Sequence, residues 1–288
     1  MIPAAFAYHA PKTLRQAVRT LHSYEGDARV LAGGMSLIPM MKLRLANLGA
    51  VVDLGRIDGL AFVEPIETDL TIGPMTTHYT LETSALVRER APLLADAAAM
   101  VGDVQVRNRG TIGGAIAHAD PAADYPAVMM ASEATFRIAG GTRRRTVRAE
   151  RMFADAYTTS LDEGEILVQV TLPAMQTNTG WSYQKLANRA SRFAVVGVAA
   201  LVTLADDGSC ARVRIGITGA GPFATRARAA ERYLTGRVVD DASIAKASQR
   251  AAKGIEFLGD VHGSAAYREH LTKEMTKRAL TEAAGRAG

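Results

Sequence analysis

The 288-residue sequence holds a single cysteine, Cys210. One thiol closes no intramolecular disulfide and cannot supply the several thiolates of an iron–sulfur cluster. Any cluster that exchanges electrons with this protein therefore sits on another chain. Cys210 follows the turn sequence Asp206-Asp207-Gly208-Ser209, which places it on a strand after a hairpin. Aromatic residues make up 6%, and none is interleaved with the one dense basic run, Arg143-Arg144-Arg145, which argues against nucleic acid as a partner. No apolar run is long enough to span a bilayer, so no transmembrane segment is expected. The start, M-I-P-A-A-F-A-Y-H-A-P, has neither the basic region nor the apolar core of a secretory signal. The cytoplasm is the expected location. Histidines are not spaced as H-x-x-x-H or H-E-x-x-H, and no serine stands in a nucleophile-elbow context. The sequence thus offers no metal ligands and no catalytic nucleophile of its own.

What is present is a soluble globular composition, 48% hydrophobic and 22% charged, with a net charge of +5. The one dense basic run, Arg143-Arg144-Arg145, follows Gly140-Gly141-Thr142 and fits the exposed start of a hairpin strand, a solvated face or a subunit contact. The length suits two or three compact units. Leu14, Ala17, Val18 and Leu21 repeat at helical spacing within residues 11 to 24. Ala28–Leu31 and Ala50–Leu54 read as strands enclosing a short helix near Ser36 or Pro39, a small βαβ-like unit. Leu60 to Gly73 alternates around Thr68-Asp69 as a β-hairpin opening a second unit. An Ala-rich helix is expected over 90 to 101, and Val104 to Arg109 leads into a central loop. A helix over 122 to 131, a hairpin over 134 to 148 and a strand over Glu165 to Leu172 follow. The polar connector Met175 to Gly180 marks a boundary, giving units 1–57, 58–174 and 175–288. In the last unit, strands at 181 to 187, 195 to 204 and 211 to 218 precede helices at 224 to 235, 240 to 254 and 267 to 283. Strands first and helices afterwards indicate an α+β unit. Gly216-Ile217-Thr218-Gly219-Ala220-Gly221 imitates a dinucleotide fingerprint but meets Pro222, and is a structural turn.

The chemistry concentrates in two glycine-rich stretches, Val30-Leu-Ala-Gly-Gly-Met-Ser-Leu37 and Arg107-Asn-Arg-Gly-Thr-Ile-Gly-Gly-Ala-Ile-Ala-His-Ala-Asp120. Glycine lets backbone N–H groups approach an anion closely, and each stretch adds a hydroxyl, Ser36 or Thr111. Two such walls suit the pyrophosphate of a dinucleotide. His118, Asp120 and Asp124 follow the second stretch as a polar turn.

The wording of these two stretches, with V-G-D-V-Q-V before the second, resembles the FAD-binding medium subunit of molybdenum hydroxylases, the carbon monoxide dehydrogenase and xanthine dehydrogenase family. The resemblance runs over essentially the whole chain and is nearest in wording to carbon monoxide dehydrogenase-like medium subunits. It implies an α+β fold in which two α/β subdomains bind FAD and a C-terminal domain carries an antiparallel sheet and helices. Residues Ala32, Gly33, Gly34, Met35, Ser36 and Leu37 would form one wall, and Gly110, Thr111, Ile112, Gly113 and Gly114 the other. Thr77 and His78 would line the pocket, although a lone histidine is more often structural. Asp124 would hold a ribose or a neighbouring polar part of FAD. Lys185 would stand near the flavin, where a cation favours the negative charge of reduction. Leu167 would touch the ring system, and Val101 is a weaker match. The resemblance further implies a large molybdenum-cofactor subunit and a small subunit with [2Fe-2S] clusters, assembled as a dimer of heterotrimers. Contact with a membrane electron acceptor, if made, would be peripheral. Two other readings stay open on the residues alone: a free-standing FAD oxidoreductase, and a non-redox anion-binding or nucleic-acid-binding module.

Overall fold

A computed structural model describes residues 1–141 and 143–287. The first strands, β1 (Ala7–His9), β2 (Ala28–Leu31) and β3 (Ala50–Asp53), form a parallel sheet in the order β1-β3-β2. Helix Leu14–His22 crosses between β1 and β2 and buries Ala17, Val18 and Leu21. Its start is set by the Thr13 hydroxyl, which accepts from the Gln16 N–H. β1 was not expected from the sequence. Three residues carry no periodicity, and pairing with β3, some forty residues on, makes it a strand.

The second sheet takes β4 (Val63–Ile66), β5 (Asp69–Ile72), β6 (Thr135–Gly140) and β7 (Arg143–Arg148) as two hairpins. The short ribbon of β8 (Phe153–Asp155) and β9 (Thr158–Thr159) follows. β10 (Ile166–Leu172) then slots between the hairpins, giving the antiparallel order β4-β5-β10-β6-β7. β10 serves two cores, because a bulge between Leu167 and Gln169 switches the face its residues present. Ile166 and Val168 pack with the first sheet's core, whereas Leu167, Val170 and Leu172 pack with the second's. The basic run occupies β7, an edge strand, where charge discourages pairing with other chains. Arg143 and Arg144 are exposed, but Arg145 is paired: its Nε donates to Glu165 at 2.8 Å. The Arg145 hydrogen bond holds the Glu165 carboxyl below its ordinary range. Thr142, part of the turn expected before this strand, lies outside the described residues.

The third sheet, β11 (Thr179–Ala187), β12 (Ala194–Leu204), β13 (Cys210–Thr218) and β14 (Thr225–Arg226), is antiparallel in sequence order. β12 reads A-V-V-G-V-A-A-L-V-T-L because both of its faces are covered. On one side lies the 23-residue helix Ala265–Ala287. On the other lies helix Tyr125–Ala131, which belongs by sequence to the preceding unit. Small residues permit this approach: a Cβ on Gly216 of β13 would sit 2.8 Å from the Ala127 carbonyl carbon. Cys210 is fully buried, and burial pushes its thiol up to about 11. Among the described residues, no helix is long and apolar enough to cross a membrane.

Candidate functional site

The first glycine stretch is the turn that carries β2 into helix Leu37–Lys42. Gly34 takes φ of +76°, in the left-handed region that favours glycine. Among the described residues, the N–H groups of Gly33, Gly34, Met35 and Ser36 donate to no backbone or side-chain acceptor of the protein. Ser36 occupies the N-cap position, yet its hydroxyl makes no cap bond. The turn therefore offers a row of unengaged donors.

The second stretch differs from the loop expected of it. Val104–Arg109 is a helix, Gly110 is a one-residue break with Thr111 after it, and Ile112–His118 is a further helix. Two caps make the sequence fold this way. The Asp103 carboxylate accepts from Val106 N, and the Thr111 hydroxyl accepts from Gly114 N at 3.1 Å. Neither Gly113 nor Gly114 has a positive φ. Their N–H groups are already used, Gly113 by the Pro74 carbonyl and Gly114 by Thr111. Gly113 is needed for packing: a Cβ there would lie 2.6 Å from the Pro74 oxygen. Thr111 is left with an O–H hydrogen to donate, because its oxygen accepts the cap bond.

The two stretches are in direct contact. A Cβ on Gly33 would run into the Arg109 carbonyl and lie 2.7 Å from the Gly110 Cα. A Cβ on Gly114 would lie 3.6 Å from the Ala32 Cβ. Unengaged N–H groups, the Ser36 and Thr111 hydroxyls and the absence of Cβ atoms at the junction make a donor set that fits a pyrophosphate. Met35 is 37% exposed beside it and Leu37 begins the following helix.

Thr77 and His78 adjoin this junction, since His78 N donates to the Gly110 carbonyl. Thr77 is an N-cap, its hydroxyl accepting from Thr80 N. His78 is 4% exposed, and its Nδ1 lies 2.9 Å from the Tyr125 hydroxyl. Burial and then the Arg107 charge push its pKa down to about 4. His78 is thus a neutral structural residue behind the junction. Ile112 is fully buried. Leu167 is 4% exposed within the second core, and Val101 packs partly buried against it.

Asp124 and Lys185 come together as a buried ion pair. Lys185 Nζ lies 2.8 Å from Asp124 Oδ1 and 3.0 Å from Oδ2, and donates to the Met100 carbonyl at 3.0 Å. The lysine side chain is fully buried and that of Asp124 is 4% exposed. Burial pushes the Asp124 carboxyl above its ordinary range, opposed by Lys185 and by the Tyr183 hydroxyl. The carboxylate expected to face a ribose is therefore already held by protein on both oxygens. The segment leading to Asp124 is clamped by the third sheet. Thr218 Oγ1 donates to the Ala123 carbonyl at 2.7 Å and to that of Pro121 at 2.9 Å, and Ala194 N donates to Ala122.

Sequence reasoning missed Tyr183 and Thr218. Tyr183 stands two residues before Lys185, and strand alternation would have put both on one face. Thr218 is the last residue of the strand expected over 211 to 218, where it overlaps the glycine-rich turn, and nothing local marks its side chain as a clamp. His118 and Asp120 meet through Tyr157 instead of the junction: the His118 and Tyr157 rings are 5.2 Å apart, and the Tyr157 hydroxyl is 3.5 Å from Asp120.

The model of the FAD binding domain in molybdopterin dehydrogenase matches residues 4–175, more than half of the chain. The chain belongs to this FAD-binding family. The model of the CO dehydrogenase flavoprotein C-terminal domain matches residues 181–283. The medium chain of carbon monoxide dehydrogenase from Hydrogenophaga pseudoflava is 40% identical over 98% of both chains. The nicotine 6-hydroxylase medium subunit of Paenarthrobacter nicotinovorans is 35% identical, again over 98% of both. Among solved structures, that of the Hydrogenophaga carbon monoxide dehydrogenase covers 100% of both chains at 41% identity and a TM-score of 0.97. Quinoline 2-oxidoreductase of Pseudomonas putida 86 follows the same fold, with a TM-score of 0.94 at 35% identity over 100% of this chain and 99% of that one.

Proposed function

We propose that this protein is the FAD-carrying electron-transfer subunit of a heteromeric molybdenum hydroxylase. The observation that carries the reading is the junction of the two glycine stretches, where Gly33 packs on Arg109 and Gly110 beneath a row of unengaged N–H groups. Units 1–57 and 58–174 contribute one wall each, and unit 175–288 holds the Asp124 segment behind them. Ala32 to Leu37 bind the pyrophosphate through the backbone, so Met35 needs no polar side chain. Gly110 and Thr111 close the opposite wall, with the Thr111 O–H as donor and Ile112, Gly113 and Gly114 as its rigid support. Lys185, held by Asp124, places a positive charge near the flavin, and Leu167 and Val101 supply apolar backing. Bound there, FAD supplies an acceptor of one or two electrons that passes them to an external acceptor.

Substrate oxidation belongs to a large molybdenum-cofactor partner, and electron entry to [2Fe-2S] clusters on a small partner. The lone buried Cys210 gives this chain no cluster of its own. Relatives named for carbon monoxide, nicotine and quinoline share one fold, so the substrate is set outside this chain. The cytoplasm suits such an assembly. Purification after co-production with its partner chains tests the reading. The expected product is a complex with one FAD per copy of this chain and iron and molybdenum in the other two. A chain that stays alone and turns over a donor by itself would support a free-standing oxidoreductase instead.

A further inference from the structure

Three side chains meet where β11 faces the end of the Asp124 segment, and only two of them have a role so far. Tyr183 and Lys185 share a face of β11 and converge on one carboxylate. The Tyr183 hydroxyl donates to Asp124 Oδ1 at 2.6 Å and the residue is 6% exposed. The cross-strand neighbour of Lys185 is Gly197, in the middle of β12. Glycine in a strand interior is unfavourable, because it loses more conformational freedom than other residues and packs nothing. Its φ is outside the left-handed region, so the backbone does not demand it. Space does: a Cβ at 197 would lie 2.6 Å from the Tyr183 hydroxyl and 2.9 Å from Thr218 Cγ2.

We propose that Tyr183 is a positioning residue for the flavin site, fixing the Lys185 ammonium through Asp124, and that Gly197 is the space which lets its hydroxyl reach. The proposal rests on the reading that places Lys185 near the flavin. A buried carboxylate with lysine as its one strong partner can turn about its side-chain axis and carry the ammonium with it. A second donor on Oδ1 removes that freedom. The Met100 carbonyl then limits the ammonium from another side. A hydroxyl in so apolar a place is costly unless it is bonded, which is why tyrosine here implies a partner and phenylalanine would not. The same glycine leaves room for Thr218, which ties down the Ala123 carbonyl next to Asp124. Both ends of the segment position are thus set by the third sheet, and the charge it presents follows the geometry of β11 and β12.

The test uses the FAD-loaded complex with Tyr183→Phe, Gly197→Ala, the double variant and Lys185→Met, with Lys185→Gln standing in should Lys185→Met not fold. The flavin midpoint potential is measured for each, with circular dichroism as the folding control. Removing a cation from near the flavin disfavours reduction, so Lys185→Met should lower the potential. Tyr183→Phe should lower it in the same sense by a smaller amount. Gly197→Ala should match Tyr183→Phe, and the double variant should add little, because both lesions remove one hydrogen bond. A wild-type potential in folded Tyr183→Phe and Gly197→Ala, alongside a lowered one in the lysine variant, overturns the proposal and leaves the Lys185 reading standing. An unchanged potential in the lysine variant removes that reading and the proposal with it.

Discussion

Single residues decide whether the two glycine stretches can meet. Gly33→Ala would drive a methyl into the Arg109 carbonyl and part the walls, so FAD retention should fall at least tenfold while the far sheets stay folded, as read by equilibrium dialysis. Gly113→Val should act differently. Its bulk strikes Pro74 within the protein, so loss of folded yield should precede any effect on flavin. Thr111→Val deletes the cap on Gly114 and the free O–H together. A stability loss of about 1 kcal/mol and weaker flavin retention are expected; unchanged flavin occupancy would remove Thr111 as a ligand. His78 gives a pH signature. Its folded pKa of about 4 lies below the roughly 6.5 of an unfolded histidine. Its stabilising contribution is therefore complete above pH 6.5 and is lost as pH falls through 4, an effect of roughly 3 kcal/mol. Urea midpoints at pH 7 and pH 4.5 should diverge more for the native protein than for His78→Gln. Equal divergence would show that the imidazole is not held neutral.

At the scale of elements, the third sheet fixes the segment that ends in Asp124, which makes it a part of the proposed site. Thr218→Val leaves the Ala123 carbonyl without its donor, a cost of about 1–3 kcal/mol for a buried acceptor. Hydrogen exchange in residues 119 to 124 should quicken in this variant while helix Leu14–His22 keeps its protection; uniform protection would separate the sheet from the segment. Elements with local signals were legible in the sequence. Helix Leu14–His22 carries its apolar period and its Thr13 cap, and the β4–β5 hairpin was legible too, although it turns at Glu67-Thr68, one residue before the expected Thr68-Asp69. The tyrosine-lysine alternation on β11 was visible too, but its meaning was not, since Asp124 lies sixty residues away and no pattern links them. β1 was illegible for the same reason. The helix Ile112–His118 was hidden by its own glycines, which lower helix propensity; a threonine cap and packing on Pro74 overcome that cost. The buried Asp124–Lys185 pair was anticipated only as two separate contacts to a ligand.

At the scale of the whole molecule, three cores are joined by shared strands and helices. β10 serves two of them, and Tyr183 and Ala199 of the third sheet pack in the core of the second. A further joint is ionic: Glu133 accepts from Arg212, Arg214 and Arg226. Burial works to raise the Glu133 carboxyl, but hydrogen bonding and charge from Arg214, with Arg212 and Arg226, outweigh it and hold the group below its ordinary range. The contribution of this network is therefore present above the ordinary carboxylate pKa and lost as pH falls below it. Such a body suits a subunit that must hold a cofactor still while chemistry proceeds on its partners. Whether the chain carries flavin is decided by a visible absorption spectrum of the purified native protein, followed by identification of the cofactor released on denaturation. Flavin absorbance, FAD in the supernatant at one per chain, and iron–sulfur absorbance only where partner chains co-purify are the expected results. A colourless protein that takes up no FAD on reconstitution would contradict the flavin reading.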